Sequence, residues 1–215
     1  MTYQATTTLA AIRNEEPCQD GWKKLLAHLG KTKADNEPLE LLTVLESNGL
    51  DDALWVLSWA MPDDRLARHY QAWCAEQVLH IFDAERPRDT RVRDQIAMLR
   101  DDTATLEQRG AARAAAQDAV NSAASAVYLV SDRSRSRALA ALAASYAAAA
   151  AAWPLVGDAS GAAAGAADCS AKAASAADWA AAGDAVYASQ EAQLRKMLAR
   201  AAIAAMQSYP EAKGD

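Results

Sequence analysis

Apolar residues recur along this chain at three- and four-residue intervals, and strict alternation with β-branched residues is absent, which predicts helices throughout. Residues 6–14 read as a short helix ending before Glu15-Glu16-Pro17. Asp20 is the expected N-cap of the next, whose apolar side is Leu25, Leu26 and Leu29 and whose stop is Gly30. After the polar connector KTKADNE, Pro38 is expected to open a helix striped by Leu41, Leu42 and Leu45 and closed by Asn48-Gly49.

The segment after Gly49 carries the strongest core signal of this half. Leu50, Leu54, Leu57 and Met61 fall on one helical face, and Trp55 and Trp59 form a second stripe beside it. A helix apolar on two adjoining faces is expected to be buried between neighbours, Trp59 included. Pro62 is expected to start a long helix through residue 85, with Asp63 and Asp64 in its first turn. Arg86-Pro87-Arg88-Asp89 breaks it, and Val92, Ile96 and Leu99 mark the inward face of the helix that follows.

From Gly110 to Met206 nearly every second residue is alanine. Alanine loses no side-chain entropy in a helix and adds little bulk, so helices made of it can approach closely. Val120, Val127 and Val130 mark one helix, and Leu139, Leu142, Tyr146 and Trp153 a heptad-like seam on the next. A smooth helix is expected over residues 159–182, and a last one over 185–207 with Tyr187, Leu194, Leu198, Ala201 and Ala205 on one stripe. The fold class that follows is all-α: an alanine-rich bundle with N-terminal helices packed on it and no β-sheet. The expected division is an N-terminal extension over 1–49, a bundle over 50–207 and a tail over 208–215.

Charge changes this picture only in its distribution. Of the net −6, residues 1–108 carry 12 Lys+Arg against 19 Asp+Glu, and residues 109–215 carry 10 against 9. The acidic half is ordinary solubility charge or a face for a basic partner. Three scattered cysteines, Cys18, Cys74 and Cys169, form neither a disulfide framework nor a zinc pattern. The N-terminus lacks the features of a secretory signal, and the nearly uncharged stretch 138–156 is mostly alanine broken by Pro154. The expected setting is a reducing cytosol, with no membrane span.

Candidate chemistry is sparse. Gly30-Lys31-Thr32 resembles the end of a phosphate loop, but position 25, where a glycine is needed, is leucine. His69, Glu76 and His80 share a helical face at i, i+7 and i+11; a metal there needs further ligands that no His/Cys cluster supplies, so no metal and no cofactor is expected. Asp51-Asp52, Asp63-Asp64 and Asp101-Asp102 read as capping and connector carboxylates rather than acid–base pairs. Two arginine-dense connectors remain: Arg86, Arg88, Arg91 and Arg93, and then Arg133, Arg135 and Arg137. Their interleaved acids make nucleic-acid binding the lesser reading. Gly157, Gly161 and Gly165 repeat at small-residue spacing.

The stretch from Cys74 to Ile96, CAEQVLHIFDAERPRDTRVRDQI, resembles an immunity-protein domain of bacterial toxin–immunity systems. Cys74, Ala75, Glu76, Val78, Leu79 and Phe82 match its Cys-Ala-Glu-x-Val-Leu-x-x-Phe run, and Pro87, Asp89 and Arg91 its Pro-x-Asp-x-Arg segment. Gln77 and Val92 depart from it, where histidine and a second proline are common. Residues 17–55 are similar to the N-terminal region of uncharacterised phage and prophage proteins. Together these resemblances imply a non-catalytic inhibitory binding protein, phage-encoded, that neutralises a toxin or a host defence complex in the manner of an immunity or anti-CRISPR protein. The alternatives are a metal-dependent enzyme using His69, Glu76 and His80, and a structural or oligomerisation module. The expected docking residues are Arg86, Arg88, Arg91 and Arg93, against the reading that they pair with Glu85, Asp89, Asp94 and nearby acids to hold the connector against the alanine-rich bundle.

Overall fold

A computed structural model describes residues 5–129, 135–152, 158 and 179–208. It is helical almost throughout, as the periodicity requires, and the exception lies at the start. Thr6, Thr7 and Thr8 form a strand, β1 (Thr6–Thr8), instead of the first turn of a helix. It pairs antiparallel with β2 (Pro38–Glu40), Thr7 opposite Leu39, so Pro38 opens a strand where it was expected to open a helix. The expectation of no β-sheet is corrected to this extent. Three consecutive β-branched side chains favour extended backbone, and two three-residue strands are too short to show alternation.

The chain divides into two compact units, Met1–Leu66 with Glu191–Asp215, and Ala67–Gln190. Residues 50–66, grouped with the bundle by the sequence reading, therefore fall in the first unit.

In that unit Thr8 ends β1 and caps α1 (Leu9–Asn14), its Oγ1 accepting from the Ala11 amide at 3.0 Å. Helix α2 (Gln19–His28) is capped by Cys18, whose Sγ accepts from Gly21 N at 3.3 Å; Asp20, the expected cap, lies in the first turn. Gly30 then takes a φ of +64°, open to glycine without a Cβ penalty. Helices α3 (Leu41–Asn48) and α4 (Leu50–Trp59) meet at Gly49, φ +98°. Leu41, Val44, Leu45, Leu50, Leu54 and Leu57 are all buried. Trp59 is not: it is 49 % exposed, and Trp55 is half-buried, so only one face of α4 points inward. The second tryptophan stripe was read as core because periodicity reports which residues share a face and not how many faces are covered. Thr7 Oγ1 donates to the Ala60 carbonyl, tying β1 to the end of α4.

The second unit is built on α5 (Arg65–Glu85), which enters it at Ala67, α6 (Arg91–Arg100), α7 (Leu106–Leu129) and α8 (Arg135–Ala152). Helix α5 begins three residues after Pro62; Asp63 accepts from the Arg65 amide at 3.0 Å and lies before the first turn, not within it. On α7, Ala116, Ala119, Val120 and Ala123 are buried at i, i+3, i+4 and i+7, one inward stripe on a helix that packs on both α8 and α6. On α8 the alanines from 147 to 152 are all buried, so neighbours cover it on every side. Among the described residues the carbonyls of its last turn have no intrahelical donors. Buried glutamines supply them: Gln71 Nε2 reaches the Ala150 and Ala151 carbonyls at 3.4 and 3.0 Å, and Gln95 Nε2 reaches Ala151 at 3.3 Å.

The final helix, α9 (Trp179–Ser208), runs for 30 residues through Gly183-Asp184, where a break between two helices was expected. Alanines on both sides supply enough helix propensity to carry one glycine, which costs about 1 kcal/mol relative to alanine. Most of the smooth helix expected over 159–182, together with Trp153, the glycine repeat, Cys169 and Arg133, lies outside the described residues, as do the side chains of Arg135 and Arg137. Among the described residues no helix is long and apolar enough to cross a membrane.

Candidate functional site

Helices α5 and α6 run antiparallel, which follows from the ion pairs between them. Arg93 Nη2 meets Asp83 Oδ2 at 2.8 Å near the connector, and Arg100 grips Glu76 with two bonds of 2.8 and 2.5 Å further along. At the far end Arg68 donates to the Leu99 carbonyl at 2.8 Å and to Asp102 at 3.1 Å, while His69 Nε2 lies 3.2 Å from the same carboxylate. Arg68 and His69 are 8 % and 4 % exposed, so these contacts hold buried charge and polarity at the α6 terminus.

The connector between the two helices spans 86–90 and is fixed from within. Arg86 N bonds to the Phe82 carbonyl at 2.8 Å, Asp89 N to the Arg86 carbonyl at 3.0 Å, and the Arg86 guanidinium to the Ser122 carbonyl of α7 at 2.7 Å. Arg91 forks onto Asp89 through Nε and Nη2 at 2.8 and 2.6 Å. That fork holds the Asp89 carboxyl below the ordinary range, its backbone bond to the Arg91 amide adding to the effect, and raises Arg91 in turn. Thr90 Oγ1 donates to Asp94 Oδ2 at 2.9 Å. Arg86, Pro87, Arg88, Asp89, Thr90 and Arg91 line an open hollow on this turn.

Of the four arginines expected to dock a partner, three thus have intramolecular contacts: Arg86 with α7, Arg91 with Asp89, and Arg93 with Asp83. The pairing reading named Asp89, and Asp83 is one of the nearby acids it included. Arg88 is different. It is exposed, and among the described residues no hydrogen bond or ion pair engages it. Asp83 Oδ1 is buried with no partner among the described residues, so its carboxylate is satisfied on the Arg93 side alone.

The histidine–glutamate face is not assembled as a ligand set. His69 is buried against Asp102, Glu76 is held by Arg100, and His80 is exposed. Among the described residues no group of three or more His, Cys, Asp or Glu side chains could hold a metal ion. Cys74 is fully buried, and burial pushes its thiol up to about 12, so it remains protonated at neutral pH. Lys31 is drawn to Asp35 and Glu37 at 2.7 and 2.6 Å, a closed loop rather than a phosphate cradle. The paired aspartates lie in the first turn of α4, just before α5 and in the α6–α7 connector.

Sequence reasoning missed Arg68, Gln71 and Gln95. A polar residue on an apolar face was the available signal, but its partner lies 31 to 80 residues away. The resemblance segment is also placed by this geometry: Cys74, Val78 and Phe82 are core residues, and Asp89 and Arg91 are the internal fork. No known protein family, no curated protein and no solved structure matches the chain.

Proposed function

We propose that this protein acts by binding: a non-catalytic inhibitor, phage-encoded and working in the bacterial cytoplasm, that neutralises a macromolecular partner, either a toxin or a host defence complex such as a CRISPR effector. The observation that carries the reading is the state of Arg88. Its arginine neighbours spend their charge on fixing the connector, and Arg88 is exposed on that frame with no hydrogen bond or ion pair among the described residues. The fixed backbone of the turn needs no further ordering on docking, so only the Arg88 side chain gives up rotamer freedom, and arginine is enriched at interface hot spots. The group it suits is a carboxylate of the partner, taken up bidentately. The resemblance of Cys74–Ile96 to immunity proteins, and of residues 17–55 to phage proteins, supports the same class.

The test is a panel of toxins and defence systems in which the wild-type chain restores bacterial growth or phage plating. Arg88→Glu is expected to abolish that protection while the melting temperature stays within a degree or two, because an exposed charge contributes at most ~1 kcal/mol. Full protection by Arg88→Glu refutes docking through the connector. Loss of protection in step with loss of stability assigns the connector a purely structural role.

A further inference from the structure

The short sheet of the first unit has two edges, and they differ. The Leu41 amide donates to the Ala5 carbonyl at 2.9 Å, and Thr7 lies opposite Leu39 two residues further on. In an antiparallel ladder, hydrogen-bonded pairs alternate with pairs whose peptide groups point outward. Thr7 therefore bonds to Leu39, while the N–H and C=O of Thr6 and the N–H of Thr8 point away from β2. The Thr8 carbonyl belongs to the first turn of α1, which Thr8 caps. Among the described residues no hydrogen bond engages the three outward groups.

An unpaired edge of this kind templates another strand unless proline, charge or a bulge blunts it. Strand β2 is blunted twice. Its outward-facing residues are Pro38, which has no N–H, and Glu40, an exposed charge. Strand β1 carries three threonines and neither device.

The surroundings then select what pairs with it. Thr6, Thr7 and Thr8 line an open groove whose further walls include Trp59, Met61 and Pro62, and Trp59 is 49 % exposed. Thr7 Oγ1, bonded to the Ala60 carbonyl, ties the strand to that wall. Of the described residues lining the groove only Glu15, the C-cap of α1, is charged. The chain as a whole carries −6, and its residues 1–66 hold 6 Lys+Arg against 11 Asp+Glu. Two copies thus repel over most of this unit, and the β1 edge is where they can meet without opposing like charge. A strand edge is also self-complementary. Turned about a two-fold axis, Thr6 of one copy exchanges both of its bonds with Thr6 of the other.

We propose that β1 pairs antiparallel with β1 of a second copy of this chain, centred on Thr6. The product is a four-stranded sheet in the order β2–β1–β1–β2, with Trp59 of each copy partly covered beside it. The strands are three residues long, so the interface is small and the dissociation constant is on the order of 10–100 μM. This surface is separate from the arginine connector and from the partner docked there.

Sedimentation velocity of the full chain over about 5–500 μM should show monomer passing to dimer, more readily as added salt screens the net charge. Thr6→Pro removes the outward N–H and breaks no bond within the chain, at an edge position where proline is tolerated. It should leave the circular dichroism spectrum unchanged and raise the dissociation constant about tenfold or more, since each dimer loses two bonds. Thr6→Val keeps the N–H and should dimerise like the wild type. Hydrogen exchange followed by NMR decides the matter without a variant. The Thr6 amide should be protected at high concentration and open at low, with the Thr7 amide protected at both. A monomer throughout that range, a dimer that a folded Thr6→Pro leaves intact, or Thr6 protection independent of concentration overturns the proposal.

Discussion

Replacing Gln71 with leucine keeps roughly the same volume but removes the amide that reaches two carbonyls of the α8 C-terminus. Ala151 keeps its bond from Gln95 at 3.3 Å, whereas Ala150 loses the donor that Gln71 supplies. A buried carbonyl left without a donor costs about 1–3 kcal/mol, which lowers the melting temperature by about 2–4 °C per kcal/mol at this chain length. Gln95→Leu should behave differently. It gives up one longer bond to a carbonyl that Gln71 still serves at 3.0 Å, and it removes Gln95 Oε1, a buried oxygen with no partner among the described residues. The two effects nearly cancel, so the change should fall within about 1 kcal/mol of zero. The double variant removes every donor that the described residues give both carbonyls and should lose more than the sum of the singles, with a coupling of about 0.5–3 kcal/mol. Urea unfolding followed by circular dichroism gives all three values, provided the slope stays constant across the set. A Gln95→Leu loss equal to that of Gln71→Leu, or strict additivity, would refute the claim that the two glutamines jointly cap α8.

Three further outcomes are expected. Leu54→Ala, at 2 % exposure, should cost about 2–5 kcal/mol, while Trp59→Ala, at 49 %, should cost clearly less; equal costs would show α4 covered on both faces. Burial, opposed by Asp102, holds His69 below its ordinary pKa, so the unfolded chain binds more protons. The stability this contributes is present above the unfolded value of about 6.5 and is lost as pH falls from there through the folded value; His69→Asn should flatten that step in a pH series of melting temperatures. In a Cys169→Ser background, iodoacetamide should label exposed Cys18 in the folded protein and Cys74 only after unfolding, and prompt labelling of Cys74 would contradict its burial and raised pKa.

What the sequence determined by itself is what depends on near neighbours along the chain. Helical periodicity, the stops at Gly30 and Gly49, the break at Arg86–Asp89 and the low bulk of the alanine half are local properties, set by spacing, side-chain entropy and backbone freedom within a turn or two. The leucine face of α4 was legible for the same reason. Everything that needed a distant partner was decided by tertiary structure. The three threonines become a strand because Leu39 lies opposite Thr7. Trp59 faces outward because the described residues cover the second stripe of α4 only in part, at half-buried Trp55. Gly183 stays inside α9 although glycine usually marks a stop. The arginines around the connector looked alike in sequence, and only their distances to Ser122, Asp89 and Asp83 separate the three that hold the turn from Arg88. Periodicity reports which residues share a face; which carboxylate, carbonyl or void that face meets is set by chain segments dozens of residues away, and no local pattern encodes it.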